Sequence, residues 1–312
     1  MHSCRATTID DLAHNVTLAP LMAVDWGTSS LRAALVSGDG IVQAQRAVDR
    51  GILTVEPGGH AAVLREHFGD WWSLPGVRCL ISGMAGSRQG WMEAPYCTCP
   101  SGLDELAASL AWVEPGRVAI VPGMRCERDG VPDVMRGEET QVLGASALLG
   151  IDSAWMVLPG THSKWVQVHA GQVVGFATWM TGEFYGMLRE HSILARMLPT
   201  GEETFDGPAF DAGVALALRG CSLMQSAFGA RTLALLDRLA PSERLSHLSG
   251  VVIGEELRCR PAGAGARVVL VGSEALTMRY ERALKHCGVY SLRVGEQAAW
   301  YGLHVLAGRW PS

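Results

Sequence analysis

Three short stretches of this sequence combine glycine, hydroxyl and charged residues in a way that suits phosphate. They are Asp25-Trp26-Gly27-Thr28-Ser29-Ser30, Gly160-Thr161-His162-Ser163-Lys164, and Val269-Leu270-Val271-Gly272-Ser273-Glu274. A tight turn of glycine and hydroxyl residues can aim several backbone N–H groups at an anion. Asp25, at the end of an apolar strand, can hold Mg²⁺ through water. In the third stretch an apolar strand enters glycine at a helix start, which suits the base and sugar of a nucleotide, or its phosphate. Each turn alone also reads as an ordinary hairpin or helix start. Three at these separations point to a nucleotide. The sequence has no G-x-x-x-x-G-K-[ST] and no G-x-G-x-x-G, and it lacks G-x-S-x-G and H-E-x-x-H. Other nucleotide folds, serine hydrolases and zinc proteases are disfavoured accordingly.

The elements around these turns repeat. Residues 20–24 form an apolar run, 31–36 a second strand, 37–40 a hairpin turn and 41–48 a third strand. A helix over 61–72 and a buried strand over 77–81 follow. The strand runs into the loop 82–91, and then come a helix over 103–110, a strand over 118–121 and a helix over 138–149. Near residue 152 the pattern restarts, with strands over 154–158, 165–168 and 173–179 around the second turn. The rest reads as mostly helical: 184–197, 211–239 with breaks, 242–257, 275–285 and 297–306, with one strand over 268–271. Two α/β halves, residues 19–152 and 153–312, suggest a ligand held in the cleft between them. Residues 1–18 read as a leader outside both.

Composition sets the limits. The chain has 312 residues, 48% hydrophobic and 18% charged, which excludes a disordered protein and permits about two domains. A net charge of −5 and a pI near 6.1 argue against nucleic acid as a partner. There is no apolar run long enough to span a membrane and no secretory signal. Eight scattered cysteines without a C-x-x-C pair predict free thiols in a reducing cytoplasm. Of the 26 basic residues only Lys164 and Lys285 are lysines. A compact ammonium inside the second turn suggests a phosphate ligand that a guanidinium would not replace.

The first turn, extended through Leu31-Arg32, resembles the first phosphate motif of the actin and hexokinase-like ATPase superfamily. Four further stretches narrow the resemblance: 82–91 (Ser-Gly-Met-Ala-Gly-Ser-Arg-Gln-Gly-Trp), 135–141 (Met-Arg-Gly-Glu-Glu-Thr-Gln), 158–165 (Leu-Pro-Gly-Thr-His-Ser-Lys-Trp) and 248–254 (Leu-Ser-Gly-Val-Val-Ile-Gly). Together they are similar to the 2-dehydro-3-deoxygalactonokinase family, over about residues 22–307. The resemblance implies a two-lobed actin/hexokinase-like (ribonuclease H-like) α/β fold with the active site in the cleft. It implies ATP and Mg²⁺ as cofactors and phosphorylation of the 6-hydroxyl of 2-dehydro-3-deoxy-D-galactonate.

That chemistry needs held phosphates, a metal and a carboxylate near the attacking hydroxyl. The resemblance gives Gly27, Thr28, Ser29, Gly160, Thr161, His162, Ser163 and Lys164 to the phosphates and Asp25 to the metal. Gly272, Ser273 and Glu274 fall on the adenosine side. Glu138 and Glu139 are the candidate bases, with Glu138 favoured, although acids in a first helical turn also serve helix stability. Arg88 and Arg136 are candidates for the substrate carboxylate, with Gln89 and Trp91 beside them and Arg32 and Arg125 as weaker cations. A related sugar acid such as 2-dehydro-3-deoxygluconate is an alternative substrate. A non-catalytic ATPase or switch of the same fold is a second alternative, for which the length leaves little room. A sugar-responsive regulator would need a DNA-binding module that is not visible. A homodimer is left open.

Overall fold

The run Leu21-Met22-Ala23-Val24 has no polar side chain, so a strand made from it must be covered on both faces. In the computed structural model, which describes residues 19–199, 204–261 and 267–310, it forms β1 (Leu21–Trp26) inside a six-stranded sheet. β1 pairs antiparallel with β2 (Leu31–Val36), which pairs with β3 (Val42–Val48). On its other side β1 pairs parallel with β4 (Arg78–Gly83). β7 (Val118–Ile120) and β6 (Ala111–Glu114) complete the sheet. Between β4 and β6 the chain forms β5 (Tyr96–Thr98) and α2 (Leu103–Ala108). Helix α1 (His60–Trp72) buries Val63, Leu64, Phe68, Trp71 and Trp72 on the outer face of this sheet, at the three- and four-residue spacing of an apolar stripe.

The second sheet repeats the order. β10 (Ala154–Leu158), β11 (Ser163–His169) and β12 (Gln172–Trp179) form the antiparallel opening. β13 (Arg267–Val271) and β14 (Tyr290–Val294) extend it in parallel on the other side of β10. Third-second-first-fourth is thus the shared spatial order in both halves, as expected for a ribonuclease H-like duplication, and beyond it the first sheet adds β7 then β6 and the second adds β14. Helices α3 (Glu138–Leu149) and α9 (Gln297–Ala307) lie between the sheets. Val142, Leu143, Ala298 and Leu303 share one core with Ala23 and Leu80 of the first sheet and Met156 and Val269 of the second. The outer face of the second sheet carries α5 (Gly207–Leu218), α7 (Arg244–Arg258) and α8 (Glu274–Lys285). α4 (Thr181–His191) and α6 (Leu223–Leu235) pack against α7.

Several elements depart from the sequence reading. The helical stretch 211–239 is two helices, α5 and α6, parted at Gly220, whose φ is +92°. A third sheet, β5-β8-β9, with β8 (Gly123–Arg128) and β9 (Val131–Met135), was not expected. Its strands are short and carry Arg125, Glu127, Arg128 and Pro132, a composition that periodicity reads as loop. β14 escaped for the same reason. Among the described residues no helix is long and apolar enough to cross a membrane, and the cysteines are free. The leader 1–18 lies outside the described residues.

Candidate active site

Both hairpin turns open onto one cavity of about 310 Å³. The first turn contributes Asp25, Gly27 and Thr28, and the second contributes residues 158–162. Gly83 and Met84 come from the end of β4, and residues 136–138 with Gln141 come from the entry of α3. The place follows from register. β1 and β4 run parallel with Asp25 beside Ser82 and Trp26 beside Gly83, so both strands deliver their carboxyl ends here.

Asp25 faces Arg32 across the β1–β2 pair, and Arg32 Nη2 donates to Asp25 Oδ2 at 2.6 Å. The second Arg32 nitrogen, Nη1, lies 2.9 Å from Glu296. Arg32 therefore orients the carboxylate of Asp25 and is itself held by two acids. No group of three His, Cys, Asp or Glu among the described residues could cage a metal. Asp25 on the cavity wall, without a cage of further ligands among the described residues, fits Mg²⁺ bound mainly by phosphates and water, the usual manner of that ion with nucleotides.

The entry of α3 is built tightly. Gly137 has φ +107°, and a Cβ there would stand 3.3 Å from Gly83 Cα, so glycine is required on two counts. The Thr140 hydroxyl donates to Gly137 O at 2.7 Å and meets Ser82 Oγ at 3.1 Å, which fastens the helix start to β4. This geometry separates the two glutamates. Glu138 lines the cavity, accepts the Arg136 N–H at 3.1 Å, and has Oε1 4.0 Å from Lys164 Nζ. Burial raises its pKa, and the nearby ammonium opposes that rise. Glu139 is fully buried and accepts the Gly137 N–H on both oxygens, at 2.9 and 2.7 Å. Burial first, then the charge of Glu138, pushes its pKa up to about 8.

Of the arginines only Arg136 lines the cavity. Its Nη2 donates to Ala94 O at 2.8 Å and its plane stacks 4.4 Å from the Tyr96 ring. Its Nε and Nη1 are buried without a hydrogen-bond partner. A guanidinium on the cavity wall whose N–H groups are not all satisfied suits an anionic ligand. Arg88 stands elsewhere: its side chain is 88% exposed and pairs with Glu93 at 3.0 Å. The loop 85–91 folds back through a Trp91 N–H to Ala85 O bond of 2.8 Å, leaving Arg88 and Gln89 on the outer side. Trp91 stacks on His60 and meets Trp26 edge-on, as part of the α1 core. Arg125 is exposed and donates to Thr98 Oγ1.

At the second turn Gly160, Thr161 and His162 face the cavity. A Cβ on Gly182 would lie 2.5 Å from Gly160 O, so glycine lets the start of α4 abut the turn. There the Glu183 N–H donates to Thr161 O at 3.0 Å, and Glu183 Oε2 holds His162 Nε2 at 2.5 Å. Ser163 and Lys164 open β11 and point to opposite faces, as successive strand residues do. Ser163 Oγ donates to Glu256 Oε1 at 2.8 Å, while Lys164 Nζ donates to Val134 O and Thr178 Oγ1. Neither side chain is among those lining the cavity, and Ser29 of the first turn is also outside it.

A second cavity, of about 120 Å³, adjoins the first through Gly160. Ser249 and Val252 of α7 line it with Leu276, Arg279 and Tyr280 of α8. Gly272, Ser273 and Glu274 stand one turn earlier and do not line it, and Ser273 O accepts the Thr277 N–H at the helix start. The sequence reading missed Gln141, Met84 and Glu256. Gln141 was accessible as the residue one turn after Glu138. Glu256 was accessible as an acid on the apolar face of α7, four residues after Val252 and three after Ile253.

A model of the family described as 2-keto-3-deoxy-galactonokinase matches residues 25–306. The 2-dehydro-3-deoxygalactonokinase of Escherichia coli (strain K12) is 36% identical over 294 residues, covering 93% of this chain and 98% of that protein. A Rhizobium meliloti (strain 1021) protein named "Probable 2-dehydro-3-deoxygalactonokinase" is 38% identical over 297 residues, covering 93% and 97%. A crystal structure of a Sinorhizobium meliloti protein assigned the same enzyme name superposes with a TM-score of 0.85 at 36% identity, covering 94% of this chain and all of that one.

Proposed function

The chain belongs to the 2-keto-3-deoxy-galactonokinase family, and from that premise we propose that it phosphorylates the 6-hydroxyl of 2-dehydro-3-deoxy-D-galactonate with ATP in galactonate catabolism. The observation that carries the reading is a single cavity bordered by two glycine-hydroxyl turns, the Glu138 carboxylate and an incompletely paired Arg136 guanidinium. Residues 19–152 and 153–312 form the two lobes, and free thiols fit a cytoplasmic enzyme.

In this reading the backbone of Gly27 and Thr28 and of Gly160 and Thr161 cradles the phosphates. His162, held by Glu183, donates to a phosphoryl oxygen. Asp25 holds Mg²⁺, which when bound neutralises charge on the phosphates. The cavity between α7 and α8 receives the adenosine. Arg136 pairs through its guanidinium with the carboxylate of the sugar acid, and so sets which end of the substrate points away from it. Glu138 accepts the proton of the attacking 6-hydroxyl. Glu139 holds the α3 entry in place and does not meet the substrate.

A coupled ADP-release assay with Mg-ATP over a panel of sugar acids tests this. High kcat/KM with 2-dehydro-3-deoxygalactonate is expected, well above that with 2-dehydro-3-deoxygluconate. The absence of ADP above background with every acid would overturn it.

A further inference from the structure

Lys164 sits inside the glycine-hydroxyl stretch of the second turn, yet its ammonium faces away from the phosphate cavity. Strand alternation decides this. Ser163 and Trp165, on either side of it, both reach Glu256 Oε1 on the helix-covered face of the second sheet, at 2.8 and 2.7 Å. Lys164 must then leave on the opposite face, toward the first half of the chain. Its side chain is 7% exposed. Nζ donates to Val134 O of β9 at 3.0 Å and to Thr178 Oγ1 of β12 at 2.8 Å. Thr178 in turn donates to Asp133 Oδ1 of β9 at 2.7 Å. The third N–H of the ammonium is left for Glu138, whose Oε1 stands 4.0 Å away.

We infer that Lys164 is a positioning residue for Glu138: a cation carried by the second sheet that fixes the carboxylate at the mouth of α3. Three elements of different origin meet at this ammonium: β11, the β8–β9 hairpin through Val134, and α3 through Glu138. A buried charge needs its partners, so the three are held in one arrangement. The carboxylate is therefore aligned only while β11 and the α3 entry are apposed, which ties its position to the arrangement of the two turns across the cavity. A guanidinium, broad and planar, could not take the place of an ammonium that donates to a carbonyl and a hydroxyl while facing a carboxylate across 4.0 Å.

The inference rests on Glu138 acting as proposed above. Lys164→Met keeps the stem and removes the charge. It is expected to lower kcat roughly tenfold to a hundredfold while leaving KM for ATP and for the sugar acid within about threefold. In a Glu138→Gln background the same change is expected to cost less than about twofold, because a residue that acts through another has nothing further to lose. Thr178→Val, which removes one acceptor and leaves the ammonium, is expected to lower kcat in the same direction by a smaller factor. A raised KM for ATP with kcat unchanged would make Lys164 a phosphate ligand and overturn the inference, as would losses that multiply in the double variant. A urea-unfolding cycle over Lys164→Met and Glu138→Gln reads the pairing without turnover. Non-additive stabilities are expected, and additive ones overturn the inference. Intact coupling in a chain that released no ADP with any sugar acid would count against the proposed function and leave the pairing standing.

Discussion

Glu256 Oε1 accepts the hydroxyl of Ser163 at 2.8 Å, joining the last turn of α7 to the residue that closes the second turn. The same carboxylate accepts Trp165 Nε1 at 2.7 Å and the Tyr280 hydroxyl at 2.6 Å, and it also accepts the Thr181 hydroxyl. Four donors from β11, α4 and α8 thus converge on one buried acid. Burial raises its pKa, and the donors oppose the rise. Because Thr181 and Tyr280 also line the cavity between α7 and α8, this carboxylate forms the support beneath the turn and that cavity together.

Glu256→Ala is expected to lower stability by about 3 kcal/mol or more in urea unfolding, since it strands several buried donors at once. In the folded fraction KM for ATP should rise more than KM for the sugar acid. Glu256→Gln should be much milder, because the hydroxyls of Thr181 and Tyr280 can turn to accept from an amide. If Gln were as damaging as Ala, the charge and not the bonding pattern would be the essential feature.

Glu138→Gln is expected to reduce kcat by about 10² to 10⁴, the usual worth of a general base, in a chain that still folds. A base works only when ionised, so activity is lost as pH falls through its pKa. Burial raises that pKa, and the acid limb of kcat should therefore lie above the ordinary glutamate range. A variant of near-normal turnover would remove Glu138 from this role.

Arg136→Lys should raise KM for the sugar acid by roughly tenfold or more, while KM for ATP moves little. An ammonium cannot supply two parallel donors while keeping the bond to Ala94 O and the stacking on Tyr96. Arg88→Lys serves as the contrast and should leave both constants unchanged, given its exposed pairing with Glu93. Equal changes in both KM values of Arg136→Lys would argue for a general disturbance of the cavity.

The two meanders were readable because β1 and β10 are apolar runs ending in polar turns, a pattern with one structural solution. Helix α3 was readable from its apolar spacing, and so was the presence of an acid at its start. Which acid faces the cavity was not readable. That depends on the φ of +107° at Gly137, which sets the rotation of the first turn, and adjacent residues give no hint of it. Arg88 follows Gly86 and Arg136 precedes Gly137, so each lies beside a glycine, and only the fold-back of residues 85–91 sends one outward. The direction of Lys164 was likewise hidden, because it turns on whether β11 takes in Lys164 or starts at Trp165. The strands of the third sheet carry too much charge to announce themselves, yet they supply Val134 and Asp133 to the site.

Glu139 makes a prediction about stability instead of rate. Its carboxyl titrates at about 8 in the folded protein, against an ordinary 4.5, because burial and the neighbouring Glu138 both disfavour its charge. Between those values the folded chain holds a proton that the unfolded chain has released. Stability then falls as pH rises, so the contribution of this group is fully present below about 4.5 and is lost by about 8. Glu139→Gln removes the titration while its amide oxygen can still accept the Gly137 N–H. Relative to wild type, the variant should therefore gain stability steadily in urea unfolding from pH 5 to pH 8. Taking the difference between the two proteins cancels other titrating groups that do not sense residue 139. Parallel stability curves for the two proteins would mean that Glu139 is ionised throughout, and its bonds to Gly137 would then be those of a charged cap on α3.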